Sequence, residues 1–476
     1  MKFWSVSLCA FVLLATAAVP AQTDDADRRL AHDIFKQLIE INTTDSVGNV
    51  TSAAEAMAQR LRDAGFPAGD IQVLGPNDRK NNLVVRLHGT GAKKPLLLMG
   101  HLDVVEARRE DWTTDPFQFV EKDGYFYGRG TQDMKSDDAI FLVTLIRFLK
   151  EGYKPDRDII LILTADEEGG SSNGVDWLLR DRRELIDAEF ALNPDNGAVE
   201  TVKGKPWMVS MDVTEKTYAD YRLEVTNPGG HSSLPVPDNA IYHLTDALSR
   251  LQRHQFPFEM SAVTRAYFEQ MSAIEKGQTA VDMKAILKTP PDRAAASRLS
   301  KNAFYNAMLH TTCVPTRLAA GHANNALPQR ATANVNCRIL PGHSREEVRQ
   351  ALIGIFADPK ITVRYISPAG EVQDQAPEDK GAAPVVLRPD VMQPLQAVVT
   401  AMWGVKVVPS MNEGASDGVY TNAAGIPAYG ITGVGIDLDD VRAHGRDERV
   451  RADSFYQGVD FYYRYLKALT GGIEGQ

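Results

Sequence analysis

The strongest constraint on this chain is a set of short apolar runs that do not alternate. Residues 82–88, 95–100, 158–165 and 188–193 carry apolar runs with no strict alternation and are bounded by turn-forming residues. A strand with one wet face alternates apolar and polar side chains, so runs apolar at both parities imply burial on both faces. Helix-like stretches near 27–41, 52–64, 136–151 and 174–180 lie between and around these runs. Short buried strands alternating with helices predict an α/β fold, a mainly parallel sheet with helices on both faces. Ser136 is the expected N-cap of the third helix, with Asp137 and Asp138 at the positive end of its dipole and Gly152 past its end. Its apolar run, 139–146, is too short to span a bilayer and reads as a core helix.

After about residue 212 the pattern changes. Period-2 strands are expected at 221–226 and 331–340, separated by a helical stretch over 239–308 that breaks at Thr289-Pro290-Pro291-Asp292. From about 369 the mixed α/β signals return, with 371–389 a polar linker. The expected organisation is a discontinuous catalytic domain, 22–213 and 369–476, interrupted by an inserted α+β lid or dimerisation domain over 214–368. With 476 residues the chain is long enough for both. Its formal net charge of −10 provides no basic field for nucleic acid and no polybasic membrane patch.

Residues 1–21 read as a signal peptide. Lys2 supplies the positive start, 6–19 the apolar stretch and Val19-Pro20-Ala21 the small-residue cleavage site. Secretion or a periplasmic location follows as an expectation. Cys9 follows Leu8 rather than a small residue, so no lipid anchor is expected. The remaining cysteines, Cys313 and Cys337, flank an expected hairpin whose turn is centred on residue 325. A symmetric register sets them opposite each other and predicts a disulfide, whereas a one-residue slip would leave two thiols on opposite faces.

Acids and imidazoles cluster just after the apolar runs or in Gly-rich loops: His101-Leu102-Asp103, Asp133, Asp166-Glu167-Glu168, Asp195 and His444. In an open α/β sheet the crevice lies beyond the carboxyl ends of the strands, so these groups converge. Packed together they would repel one another unless a cation neutralised them, so convergence implies metal. Residues i and i+2 of extended backbone share a face, which lets Asp103 reach the far ring nitrogen of His101 and fix its tautomer.

The segments His101-Leu102-Asp103-Val104-Val105, Gly128-Arg129-Gly130-Thr131-Gln132-Asp133-Met134-Lys135, Thr164-Ala165-Asp166-Glu167-Glu168-Gly169-Gly170 and Ala443-His444-Gly445-Arg446-Asp447-Glu448 resemble the signature blocks of the M20 zinc metallopeptidases. This resemblance covers essentially the whole chain after residue 21. Trp112 and Asp115-Pro116-Phe117, ahead of 124–130, resemble most the branch containing carboxypeptidase S-like enzymes. The resemblance implies two zinc ions per chain bridged by Asp133. His101 and Asp195 would complete one site, Glu168 and His444 the other, and manganese or cobalt would also suit so carboxylate-rich a set. It makes Glu167 the general base that moves a proton from water to the leaving amine, with Asp103 behind His101. Asp at 195, where some branches carry Glu, points toward the aminopeptidase, dipeptidase and aminoacylase-like branches. A cis peptide bond at Asp133-Met134 is also implied.

In the inserted domain, Pro228-Gly229-Gly230-His231-Ser232-Ser233 resembles the loop whose histidine reaches the partner's active site in family dimers. Asn325 and Arg338 match the substrate-binding positions, Arg338 as the grip on a substrate carboxylate. The long helical stretch before Met308 is larger than in compact dimeric members and bears on whether the pairing surface is open. The function implied is an exported di-zinc hydrolase of amide bonds in short peptides or N-acyl amino acids, an exopeptidase of carboxypeptidase or dipeptidase type, or an aminoacylase or desuccinylase-type deacylase. Gly414-Ala415-Ser416-Asp417-Gly418 satisfies the nucleophile-elbow pattern. Ser416 with Asp437 or Asp439 and His444 is therefore a rival serine-hydrolase reading, and in the metallopeptidase reading Gly414 contacts substrate. A non-catalytic peptide-binding protein is the third reading, disfavoured because Glu167 and every expected ligand are present.

Overall fold

The structure, a computed structural model, describes residues 25–368, 370–378 and 385–471. The expected signal peptide at 1–21 lies outside them. A ten-stranded sheet carries the order Ile71–Leu74, Asn82–Leu87, Ile159–Thr164, Leu96–His101, Phe190–Asn193, Ala428–Gly430, Lys205–Glu215, Ala198–Val202, Gly435–Asp437, with Val407–Asn412 also paired to Lys205–Glu215. Its centre is parallel: Leu96–His101 runs with both Ile159–Thr164 and Phe190–Asn193, and Phe190–Asn193 with Ala428–Gly430.

The unbroken apolar runs are explained by two cores. Leu83, Val85, Leu96, Leu98, Ile159, Leu161 and Leu163 face one core, shared with helices Asp25–Ile39, Val50–Asp63, Lys135–Lys150, Pro389–Trp403 and Ala452–Thr470. The alternate residues Val84, Leu97, Met99, Ile160 and Ile162 face the other, with Val175, Leu178 and Ile186. Period 2 is therefore present, but both parities are buried. The helix expected at 136–151 begins at Lys135, and Ser136 is not its cap. Met134 O accepts Asp137 N and Asp138 N at 2.9 and 3.2 Å, so main chain organises the first turn, while Ser136 Oγ donates to Asp137 Oδ2.

Lys216 alone separates Lys205–Glu215 from Thr217–Thr226, where the chain passes into a second sheet. That sheet has five strands in the order Thr312–Ala320, Arg330–Ile339, Thr217–Thr226, Ile361–Ile366, Val372–Gln373, each antiparallel to its neighbours. Tyr221, Leu223, Val225, Val335 and Ile339 turn inward against helices Ala240–Arg253 and Arg345–Phe356. The other parity presents Tyr218, Asp220, Arg222, Asn334, Asn336 and Arg338, the polar half of the alternation. Cys313 and Cys337 are directly opposed on adjacent strands and form a disulfide with an S–S distance of 1.98 Å.

The helical stretch inside the expected insertion divides between two cores. Ala240–Arg253 covers the second sheet, whereas Tyr267, Phe268, Met271, Met283, Met308 and Leu309 pack with Met208, Val408 and Met411 of the first. The break at Thr289-Pro290 carries a cis peptide bond, as does Asp133-Met134.

Candidate active site

His101 ends a central parallel strand, Glu167 and Glu168 follow the neighbouring strand, and Asp195 follows the strand on its other side. Asp133 sits ahead of the buried helix Lys135–Lys150, and His444 arrives on a loop from near the C-terminus. The sheet thus delivers groups distant in sequence to one crevice.

Asp133 lies at the centre. Its Oδ1 is 3.2 Å from His101 Nε2 and its Oδ2 is 3.1 Å from His444 Nε2. His444 Nε2 is also 2.8 Å from Glu168 Oε1, and His101 Nε2 is 4.0 Å from Asp195 Oδ1. Ligand atoms of His101, Glu167 and Asp195 lie within 4.8 Å of one another, as do those of His101, Asp133 and Glu168. His101 Nε2 and Asp133 Oδ1, though close, lack hydrogen-bond geometry to each other and are buried without a hydrogen-bond partner. Two orphaned acceptor-capable atoms converging among carboxylates are what a cation would satisfy.

The electrostatics agree. Burial opposes ionisation of Asp133, but the two imidazoles outweigh it and hold the carboxyl well below its ordinary range. Burial also opposes charge on His101, yet Asp133, Glu167 and Asp103 push it up. Asp133 and Glu168 raise His444 to about 10. Burial, then the charge of Asp195, raises Glu167 well above an ordinary glutamate, and burial, then Asp133, does the same to Asp195. The pocket draws positive charge, and its imidazole and carboxylate donors suit zinc.

Asp103 departs from expectation. His101 Nδ1 donates to the backbone carbonyl of Asp103 at 3.0 Å, while the Asp103 carboxylate is 3.8 Å from that nitrogen. The carboxylate instead accepts Glu167 N at 3.2 Å and Glu168 N at 2.9 Å. Two free amides of the adjoining loop claim it, so Asp103 fixes the base and a ligand through their main chain. Asp166, in left-handed backbone (φ 60°), is pinned by Lys80 and by Ser172 N at 3.0 Å. Lys80 also donates to Asp45 Oδ1 at 2.8 Å.

Among the described residues, the other sequence-assigned positions make no hydrogen bond or ion pair with this cluster. His231 is exposed, its Nδ1 2.8 Å from Ser233 Oγ, and it pairs across a short ladder with Ala326. Ser232 N donates to Asn325 O at 3.0 Å, so the His231 and Asn325 loops are neighbours. Arg338 lies on the polar face of the second sheet with its guanidinium 4.7 Å from the centre of the Tyr218 ring. Gly414 N donates to Asn412 Oδ1 at 2.7 Å.

Ser416 is not a nucleophile poised beside a base. It is buried, its Oγ donates to Glu215 Oε2 at 3.0 Å and accepts from Asn193 and Asn196 at 3.2 and 2.5 Å. His444 is engaged by Asp133 and Glu168, and Asp437 by Thr201, Gly204 and Arg451. Next to that serine is a residue the sequence reading passed over. Asp417 is buried, accepts from Asn173 at 2.6 Å and Thr164 at 3.3 Å, and its charge acts on Glu167 and Asp195. Its only sequence signal was a place in the same Gly-rich loop.

Residues 97–468 match the family model for peptidase family M20/M25/M40. The chain is 29% identical over 388 residues to a probable carboxypeptidase S-like 2 of Dictyostelium discoideum, covering 79% of this chain and 71% of that one. It is likewise 29% identical over 386 residues to the human N-fatty-acyl-amino acid synthase/hydrolase PM20D1, covering 79% and 74%. The fold superposes on an M20 family metallo-carboxypeptidase, Sso-CP2 from Sulfolobus solfataricus, with a TM-score of 0.69 at 15% identity over 94% of this chain and 100% of that one. With the family model spanning 97–468, which takes in every member of the acid cluster, this chain belongs to peptidase family M20/M25/M40.

Proposed function

We propose that this M20 amide hydrolase is an exported enzyme that uses two zinc ions to cleave an amide bond next to a free carboxylate, in short peptides or N-acyl amino acids. The observation that carries the reading is Asp133, whose two carboxylate oxygens face His101 and His444 separately. His101, Asp133 and Asp195 would hold one ion, and Asp133, Glu168 and His444 the other. When bound, such ions polarise the scissile carbonyl and lower the pKa of water. Glu167, which burial raises above an ordinary glutamate, takes the proton of the attacking water and returns it to the leaving amine. Arg338, held over the Tyr218 ring, offers a planar guanidinium to the substrate carboxylate.

The relatives support both substrate types: one is named a carboxypeptidase S-like protein and another an N-fatty-acyl-amino acid synthase/hydrolase. Residues 1–21 would direct export. His231, exposed on the lid, would serve the active site of a second copy in a homodimer. Mixing His231→Ala with Glu167→Gln chains should then restore activity, and no recovery would confine His231 to its own subunit.

The direct test is a panel of dipeptides, longer peptides and N-acyl amino acids, each with its terminal carboxylate free or esterified. Hydrolysis of the free acids alone, abolished by a chelator and indifferent to a serine-directed reagent, is expected. Activity that survives chelation, or that ignores esterification, would refute the reading.

A further inference from the structure

Asp133 and His444 come from loops more than 300 residues apart, yet two side chains tie those loops together reciprocally. We infer that Gln132 and Glu448 are positioning residues that set the geometry of the Asp133, Glu168 and His444 ion site, an inference that rests on the two-ion reading above. The Gln132 amide oxygen accepts Arg442 N at 2.7 Å and Ala443 N at 2.9 Å, and its nitrogen donates to Asp440 O at 3.2 Å and Arg449 O at 2.8 Å. Both lone pairs and both N–H groups are used, so the amide has one orientation and grips the His444 loop on both sides.

Glu448 answers in the opposite direction. Its Oε1 accepts Gln132 N at 2.7 Å and Asp133 N at 3.2 Å, and its Oε2 accepts Gly130 N at 3.1 Å and Arg129 Nη1 at 2.5 Å. Arg129 Nη2 in turn donates to His444 O at 3.3 Å and Gly445 O at 3.0 Å.

The two ion sites differ in their need for this support. His101 ends a buried strand, is 2% exposed, and has its other ring nitrogen fixed by Asp103 O. His444 sits in a turn with left-handed backbone (φ 63°) and a side chain 54% exposed, so no wall of side chains holds its ring. Its direction is inherited from main chain that Gln132 and Arg129 hold. In the Gln132 variants Glu448 still holds the main chain of Gln132 and Asp133, so loss of the amide clasp frees the His444 loop while Asp133 keeps its place.

The test is zinc titration by chelator competition on the chain lacking residues 1–21, comparing wild type with Gln132→Met, Gln132→Glu and Glu448→Gln. One ion should bind as in wild type while the other weakens roughly 10- to 100-fold, the usual effect of removing a group that orients a ligand. Excess zinc should then restore kcat with KM unchanged. Glu448→Gln alters a buried carboxylate and could fail to fold, whereas Gln132→Met removes no charge and keeps the comparison open. Equal weakening of both ions alongside a lower metal-free Tm, or no weakening, would overturn the inference. A wild-type chain that binds fewer than two ions would refute the two-ion reading itself.

Discussion

At the scale of single residues, the loop after Ile159–Thr164 shows how a base is placed. Asp103 holds the amides of Glu167 and Glu168, and Lys80 with Ser172 N holds Asp166 just before them. Glu167→Gln keeps the shape of the loop and removes only the proton acceptor. Turnover should fall at least about 100-fold with metal content unchanged, as measured by kinetics beside elemental analysis; near-normal turnover would place the base elsewhere. Gly170 is the complementary case. Its φ is +114°, and a Cβ there would lie 2.2 Å from Asp166 Oδ2, a carboxylate with no freedom to yield. Gly170→Ala should therefore cost about 1–3 kcal/mol in thermal or denaturant unfolding and lower activity by displacing the acid loop. Retention of both properties would mean that the loop is compliant.

At the scale of elements, the helix Arg345–Phe356 on the second sheet carries a test of its electrostatics. Ser344 and Glu347 form a capping box at its start, while Glu346 accepts from Arg349 at 2.7 Å and from Ala376 N at 2.8 Å. Chiefly through Arg349, Glu346 is held down to about 2. A depressed carboxyl stabilises the fold above its unfolded pKa of about 4.3, and that stabilisation is lost as pH falls through the folded value. Glu346→Gln should thus unfold more readily than wild type near neutrality, with the gap closing between about pH 5 and 2; a constant gap would contradict the ion pair. Element identity was largely legible because each buried strand is apolar at both parities. The start of Lys135–Lys150 was read one residue late because main-chain carbonyls, rather than Ser136, organise its first turn. For the helices of 262–309, an apolar face announces burial but does not name the sheet it meets, and Tyr267 to Leu309 chose the first sheet through Met208, Val408 and Met411.

At the scale of the whole molecule, most of the acid cluster was readable because His101, Asp133, Glu167, Glu168 and Asp195 end or follow a strand or precede a helix, and a parallel sheet brings such ends together; His444, on its loop, was legible only through the family resemblance. The groups behind the cluster were not legible, because their partners are remote. Asp103 reaches a loop 64 residues away, and Gln132 and Glu448 meet across 316. No periodicity or spacing encodes such pairs. The fold's central consequence is that Asp133 stands between two imidazoles delivered by opposite ends of the family-matched segment, His101 and His444. The measurement that tests this most directly is back-titration of chelator-stripped enzyme with zinc, following hydrolysis of an N-acyl amino acid against ions bound per chain. Full activity should appear only as the second equivalent binds, and Asp133→Ala should hold neither ion tightly. Full activity at one equivalent or none, or an Asp133→Ala chain that still binds two ions, would contradict the account.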